Sequence, residues 1–489
     1  MIPTPLRIAL SAWCLVLLSA QTPAFGQCAA IASTPEAAAD CAGRSLPKDS
    51  VGAIDPTHEY TLAELIDIAE RSNPRTRVAW ERVKQRADAL GIARSAYFPI
   101  IAGLAAIGDQ RLINPFPKPL APLGYVTVKI PFIEPEVSLQ YLLFDFGGRA
   151  SRVDAATAEK IAAGAGLIQV NQDVAFRVSG AYYKLLTAQE RLQATGETLK
   201  TARTTQEAAE ARLKNGRATL PDTLNARAET AQAVFDNEAA DGDEKIARVA
   251  LTEAVGAEPS PNIKIASETS APLPDAITLS IDQLVDRALA KRPDLAAIAS
   301  EIRAADSAIL EAKAEFKPRV VVGATAGQQS IWPVASYGEL GSTSQPVWSA
   351  TLALQWEIFD GGVRKNRLAA AESKRRQAQD EMTEKHDETV KEVWNAYIAF
   401  RSGLRKQQAA AALFDAASTS YNASLDAYNN GVKNLIDVVT AEKQFAQARL
   451  SSVAARAQLF YEAVELEFVT GNLLRSDPPA TKTQGGATP

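Results

Sequence analysis

The sequence predicts a mainly α-helical fold with a β-barrel part, built as a duplicated helix–strand–strand–helix–helix unit. Three observations predict it. The chain repeats itself over a long period, two proline-free stretches at 147–215 and 361–430 read as very long helices, and alternating strands sit between helices in both halves.

The repeat is read from matched landmarks. Asn73-Pro74 answers Arg292-Pro293, and Pro99 answers Pro318, each at an offset of 219 positions. Further along, Phe144-Asp145 answers Phe359-Asp360, and Gly216, Leu220, Asp222 and Ala226 answer Gly431, Leu435, Asp437 and Ala441, all at an offset of 215. The offset falls by four between Pro99 and Phe144, which places the length difference in the strand region and its loops. Two near-equal halves, 60–256 and 278–471, fit one pseudo-symmetric unit better than independent modules.

The start has the form of a secretory signal over 1–26: Arg7, an apolar run over 8–20, then Ala24-Phe25-Gly26 as a small-x-small cleavage site. The chain has 489 residues with 52 Lys and Arg against 57 Asp and Glu, a net charge of −5 that Arg7 removal takes to −6. Such an acidic balance gives no electrostatic case for nucleic acid. Residues 27–59 read as an N-terminal extension. They carry Cys28 and Cys41, and in an exported, oxidising setting three states are open to these: a local disulfide, a lipid anchor on Cys28, or free thiols. Gln27 stands where an anchor needs a small residue. No later apolar run is long enough for a transmembrane helix, so the mature chain is either soluble or crosses a membrane with strands.

The elements then follow in order. Residues 60–97 read as helix with a break at Asn73-Pro74. Residues 100–111 and 126–144 read as strands, and 147–215 as a helix spanning about 100 Å at the helical rise. A second helix returns over 221–255. Residues 257–277, rich in proline, read as a linker. The second half repeats the plan: helix 278–316, strands 319–329 and 347–359, and the hairpin of helices 361–430 and 435–470. The tail 472–489 is polar, rich in Pro, Gly and Thr, and reads as disordered.

From Val390, alternating steps of three and four reach Val393, Tyr397, Phe400, Leu404 and on to Tyr428, a coiled-coil seam. The matched seam of the first half, from Ala175 to Leu213, is more polar and suits a helix with several neighbours. The last strand puts Trp348, Ala350, Leu352, Leu354, Trp356 and Ile358 on one face and Val347, Ser349, Thr351, Ala353, Gln355 and Glu357 on the other. One apolar and one more polar face suit a lipid-facing barrel strand. Four strands cannot close a membrane barrel alone, so identical chains must share one.

With these residues in view, the chain resembles the TolC-type outer-membrane factors over nearly its whole mature length. The likeness rests on the duplicated order, the Asn73-Pro74 and Arg292-Pro293 breaks, the Phe-Asp strand-to-helix turns and a Gly-x-x-x-Leu-x-Asp turn in each half. It implies a homotrimer in which each chain gives four strands to a twelve-strand barrel, over a helical tunnel reaching into the periplasm of a Gram-negative bacterium. The implied partners are outer-membrane lipid, a periplasmic adaptor and an inner-membrane transporter of RND or ABC type. The implied work is export of drugs, metals or proteins.

Each turn between the long helices runs Asn, Gly, polar residues, then an acid. Gly216 and Gly431 suit left-handed C-caps, and Thr219 and Asn434 suit N-caps with Asp222 and Asp437 three residues on. Capping is the structural role of those acids. The resemblance adds a functional one: Tyr428 and Lys433 match positions that hold the closed entrance through an acid matching Asp222. Asp437 matches an acidic constriction, and Gly216, Leu220, Gly431 and Leu435 stand at the tips where the adaptor docks. A second acid common in the family is Thr440 here.

An enzyme is a poor reading. The chain has no phosphate-binding glycine loop, no zinc-spaced cluster and only His58 and His386. No metal or cofactor is expected. The alternative is a periplasmic coiled-coil adaptor or adhesin-like protein, which would share the signal and heptads but has no use for strand pairs in both halves.

Overall fold

The computed structural model describes residues 54–118, 123–216, 218–266 and 279–473. The signal segment, Cys28, Cys41 and nearly all of the C-terminal tail lie outside the described residues.

The first half opens with β1 (Glu59–Tyr60), α1 (Leu62–Ser72) and α2 (Pro74–Ser95). Thr61 starts α1 with a capping box in which its backbone N–H donates to Glu64 at 2.8 Å. Pro74 takes the first position of α2, where its missing N–H costs nothing, and Asn73 caps it. Then come β2 (Ile100–Pro115), β3 (Tyr125–Phe144), α3 (Gly148–Lys214) and α4 (Leu220–Val255). β4 (Lys264–Ile265) in the linker pairs in parallel with β1, a bridge that two-residue segments give no period to reveal. The second half follows as α5 (Ile281–Lys291), α6 (Pro293–Ala314), β5 (Arg319–Ile331), β6 (Val334–Ala335), β7 (Gly338–Glu339), β8 (Thr343–Gln355), α7 (Val363–Asn429) and α8 (Leu435–Val469).

The duplication extends to the packing. Leu65, Ala69, Val178 and Leu251 lie in one buried cluster; their counterparts Leu284, Ala288, Val393 and Leu466 lie in another. Each fully buried leucine contributes about 1.5–3 kcal/mol. Gly256 ends α4 at φ +85° with Asn73 against it, and Gly471 follows α8 at φ +71° against Lys291 and Arg292. In both halves the returning helix thus ends on the Pro-marked break of the first helix. Down the hairpins the seams narrow to alanine: Ala226, Ala233 and Ala240 in α4, and Ala441 and Ala448 in α8, are buried at heptad spacing, which lets helices approach closely.

The heptad seam of α7 lies inward: of its twelve positions only Ala411 is exposed, while Val393 and Phe400 are fully buried. α3 buries more than one face, with Tyr182, Tyr183, Leu185 and Leu186 all enclosed, because it packs against α4, α6, α2 and α8. Its weak seam is the signature of shared neighbours.

The long strands run β2–β3–β5–β8, all antiparallel. One face carries the rows Ile101–Leu139–Ala324–Ala350 and Tyr141–Val322–Leu352, with Trp348 80% exposed. The opposite face is mixed, with the row Leu142–Val321–Ala353 beside polar pairs: Thr325 and Ser349 share a hydrogen bond at 2.9 Å, and Arg319 donates to Gln355 at 2.9 Å. Strand boundaries differ from expectation: β2 runs on to Pro115 and β5 to Ile331, and β8 starts at Thr343. β8 ends at Gln355 rather than 359 because β5 begins at Arg319, its register partner, and offers nothing beyond it. Trp356 instead donates its indole N–H to Phe316 O at 3.2 Å. The strands of the first half, with 16 and 20 residues, are longer than those of the second, with 13 and 13, and the longer connection after β5 and the segment 356–359 after β8 offset part of that excess.

At the base of the sheet the turns into α3 and α7 are built alike. Asp145 accepts from the Arg149 amide at 2.6 Å and Asp360 from the Arg364 amide at 2.9 Å. The two buried guanidiniums reach back to carbonyls ending the short helices, Arg149 to Ala96 O and Arg364 to Glu315 O, both at 3.4 Å. Left-handed backbone is required at both turns; Gly361 supplies it at φ +66°, whereas Phe146 is held there at φ +56°.

Candidate channel entrance

The far ends of the two helical hairpins meet in one small cluster. α3 stops at Asn215 and Gly216, whose φ is +67°, and the Gly216 amide donates to Leu213 O at 3.0 Å. α7 stops in the same way at Asn430 and Gly431, φ +76°, with the Val432 amide reaching Ala427 O at 2.8 Å. These bonds satisfy carbonyls that a helix end leaves unpaired.

Both acids close capping boxes. The Thr219 hydroxyl donates to Asp222 at 2.6 Å and its amide to the same oxygen at 3.0 Å. Those bonds, the hydroxyl's first, lower the Asp222 pKa. The Asp437 amide donates to Asn434 Oδ1 at 2.9 Å, and the Asn434 amide to Asp437 at 3.3 Å. Thr440 bonds the backbone of its own helix.

The remaining predicted residues divide. Lys433 donates to Ser424 at 3.1 Å, folding its loop back on α7. Tyr428 is half-buried and packs with Ala209, Ala226, Leu435 and Val439, where the two hairpins join. Within the chain no hydrogen bond joins Tyr428, Lys433 and Asp222 among the described residues. The matched leucines have different surroundings: Leu220 is 60% exposed, whereas Leu435 is 7% exposed and seated between the hairpins.

Several contributors carry no sequence signal. Arg212 places its guanidinium 4.0 Å from the centre of the Tyr428 ring, tying the last turn of α3 to the last turn of α7. Arg227 pairs with Glu210 at 2.8 Å across the first hairpin, and Arg449 of α8 pairs with Glu197 of α3. Val432 is 80% exposed, and with Leu224 and Ile436 it adds apolar surface at the tips. Its place in a turn gives no period from which to read this.

An open sheet with one exposed apolar face, carried on helices about 100 Å long that converge on a capped tip, defines an outer-membrane channel protomer. The outer membrane efflux protein family model matches residues 65–257 and 284–472, and the chain belongs to that family. It is an export channel of the outer membrane that extends into the periplasm. Among its relatives are Protein CyaE of Bordetella pertussis, 28% identical with 87% of this chain and 88% of the relative covered, and the alkaline protease secretion protein AprF of Pseudomonas aeruginosa, 26% identical with 71% and 73% covered. A membrane protein from Pseudomonas aeruginosa has a similar crystal structure, with a TM-score of 0.72 at 23% identity over 84% of this chain and 93% of that one. The match of both repeats to the family sets aside the adaptor or adhesin reading.

Proposed function

We propose that three copies of this chain close a twelve-strand barrel and that the assembly works as a passive conduit, with no catalysis of its own. The observation that carries this is the open sheet. β2 pairs only with β3 and β8 pairs only with β5, so among the described residues each of these edges is left unpaired beside an exposed apolar face. Such edges are a liability unless other strands cover them, and in lipid they cannot persist. A trimer removes all of them. Cross-linking of the detergent-extracted protein should give trimers; monomers only, or a water-soluble mature chain, would refute the assembly.

In this reading the loops after β2 and β5 face outside the cell, and a tag inserted there is labelled on intact cells. A periplasmic adaptor docks on the tips at Gly216, Gly431, Leu220, Val432 and Ile436, and an inner-membrane transporter of RND or ABC type drives the cargo. Leu435 supports this surface from within.

The entrance is held by Tyr428 and Lys433 reaching Asp222 of a neighbouring hairpin, while the symmetric copies of Asp437 repel one another and narrow the opening. Each exposed pair contributes only about 0.2–1 kcal/mol, but three copies add. Replacing Tyr428 with Phe and Lys433 with Ser should raise single-channel conductance in planar bilayers without unfolding the helices. Parent-like conductance in this double variant, with Asp437→Ala equally silent, would reduce these residues to plain caps.

A further inference from the structure

Five residues beyond Asp437 on α8, about 7.5 Å along the helix, Glu442 is 6% exposed. Its surroundings come from all four long helices. From α3, the uncharged Thr205 donates its hydroxyl to Oε2 at 3.5 Å, and among the described residues Oε1 has no hydrogen-bond partner. From α4 comes a second carboxylate, Glu229. From α7 comes the phenol of Tyr421, whose own ionisation is opposed first by burial and then by Glu442. The neighbouring base on α8, Lys443, extends to Glu229 at 3.7 Å and leaves Glu442 without an ion pair among the described residues. Glu244, the buried carboxylate of α4, has Arg248 bound to it at 2.5 Å. Glu442 is therefore built without the partner a buried charge requires.

We infer that Glu442 is a proton-operated joint between the two helical hairpins of each chain, packed when neutral and spread when charged. The inference rests on the channel reading, because the joint stands just above the entrance. Burial first, and then the negative charge of Glu229, push this carboxyl up to about 7. The sign follows. Below the ordinary carboxylate range the group is neutral in both packed and spread states and favours neither. As pH rises toward about 7 the packed state bears a growing cost, which is complete above that value. Separating α8 from α3 and α4 would hydrate the anion and relieve the cost. Near the tip the contacts resisting that separation are the small cluster of Ala209, Ala226, Leu435 and Tyr428 and the pairs of Arg449 with Glu197 and Lys443 with Glu229, while farther along α8 stays stacked on α3 through Phe460 on Tyr183. The entrance should accordingly be tight in acid and loosen through neutrality.

The test uses the full-length trimer in planar bilayers and in detergent, between about pH 5 and about pH 8.5. The parent should gain open probability through about pH 7, and amide exchange over Leu435 to Arg449, corrected for the intrinsic rate, should accelerate by up to roughly 100-fold. Glu442→Gln, nearly isosteric and always neutral, should keep the protected, low-conductance behaviour throughout. Glu229→Gln should move the midpoint to lower pH, since ionising Glu442 is then easier. The same pH response in Glu442→Gln as in the parent, or a parent whose exchange is flat, would overturn the proposal. Absence of any channel with the exchange response intact would refute the channel reading and leave the joint standing.

Discussion

Three glycines of the sheet form a series whose ranking comes from the backbone alone. At Gly103 a methyl group would meet nothing within 4 Å. At Gly323 it would lie 2.9 Å from the Thr351 hydroxyl, which can rotate and at worst lose its bond to Gly323 O at 3.3 Å. At Gly327 it would lie 2.8 Å from Cβ and 2.9 Å from Cα of Glu136, and closer still to the carbonyl of Pro135. The last obstacle is main chain, and ordinary contact begins at 3.4 Å, so the strands themselves must part. Overpacking of this kind costs about 1–3 kcal/mol, and each ladder bond weakened adds about 0.5–1.5 kcal/mol. Against that stands a gain of about 0.4–1 kcal/mol from stiffening the unfolded chain. Gly103→Ala should thus be neutral or slightly stabilising, Gly323→Ala nearly neutral, and Gly327→Ala destabilising by about 2 kcal/mol per chain. The site matters for function because β3 with β5 is the long pairing that joins the two repeats in the barrel. Thermal unfolding of the purified protein in detergent, followed through the strand signal, measures the series. Equal melting of the Gly327 and Gly103 variants, or a reversed order, would refute the reasoning.

Arg292→Met should destabilise the chain by about 1–3 kcal/mol, because it takes the buried guanidinium from Glu392 and leaves Asp294 with Lys385 as its remaining cation; denaturant titration reads this, and a variant as stable as the parent would count against it. Arg212→Gln should loosen the tip by about 0.5–2 kcal/mol per chain. A double-mutant cycle with Tyr428→Leu on exchange protection of the last turn of α7 should show that the two losses do not add.

Much of this molecule could be read from its sequence, and what could be read was local or repeated. Capping boxes at Thr219 and Asn434 need only residues three apart, and both form. The alternation of β8 and the seam of α7 need only one element's own period. What failed to show depends on a partner far along the chain. The end of β8 is set by the start of β5, and the β1–β4 bridge by two segments about 200 residues apart. Leu220 and Leu435 occupy matched positions in matched turns, yet one is exposed and the other buried. The repeat sees the turn, while burial depends on how the two hairpins lean together. Arg212 and Glu442 were illegible for the same reason, since each acts on another helix.

The two ends of the helices are held by very different means. At the sheet, each strand-to-helix turn is locked by a buried arginine bonded both to its own capping aspartate and to the helix that enters the strands, once through Arg149 and once through Arg364. Tying entry and exit together leaves the base of the sheet little freedom to hinge. At the tips the capping aspartates bond, within the chain, to their own helix starts, and the ties between hairpins are an arginine over a ring, a few small apolar side chains and partly exposed ion pairs. Such ties contribute of order 1 kcal/mol each, which a proton or a docking partner can offset. In the proposed gating, a membrane end that stays sealed to lipid and a far end that opens call for this gradient of stiffness. The duplicated sequence builds it by repeating the arginine lock in both halves and leaving the tip residues free to diverge.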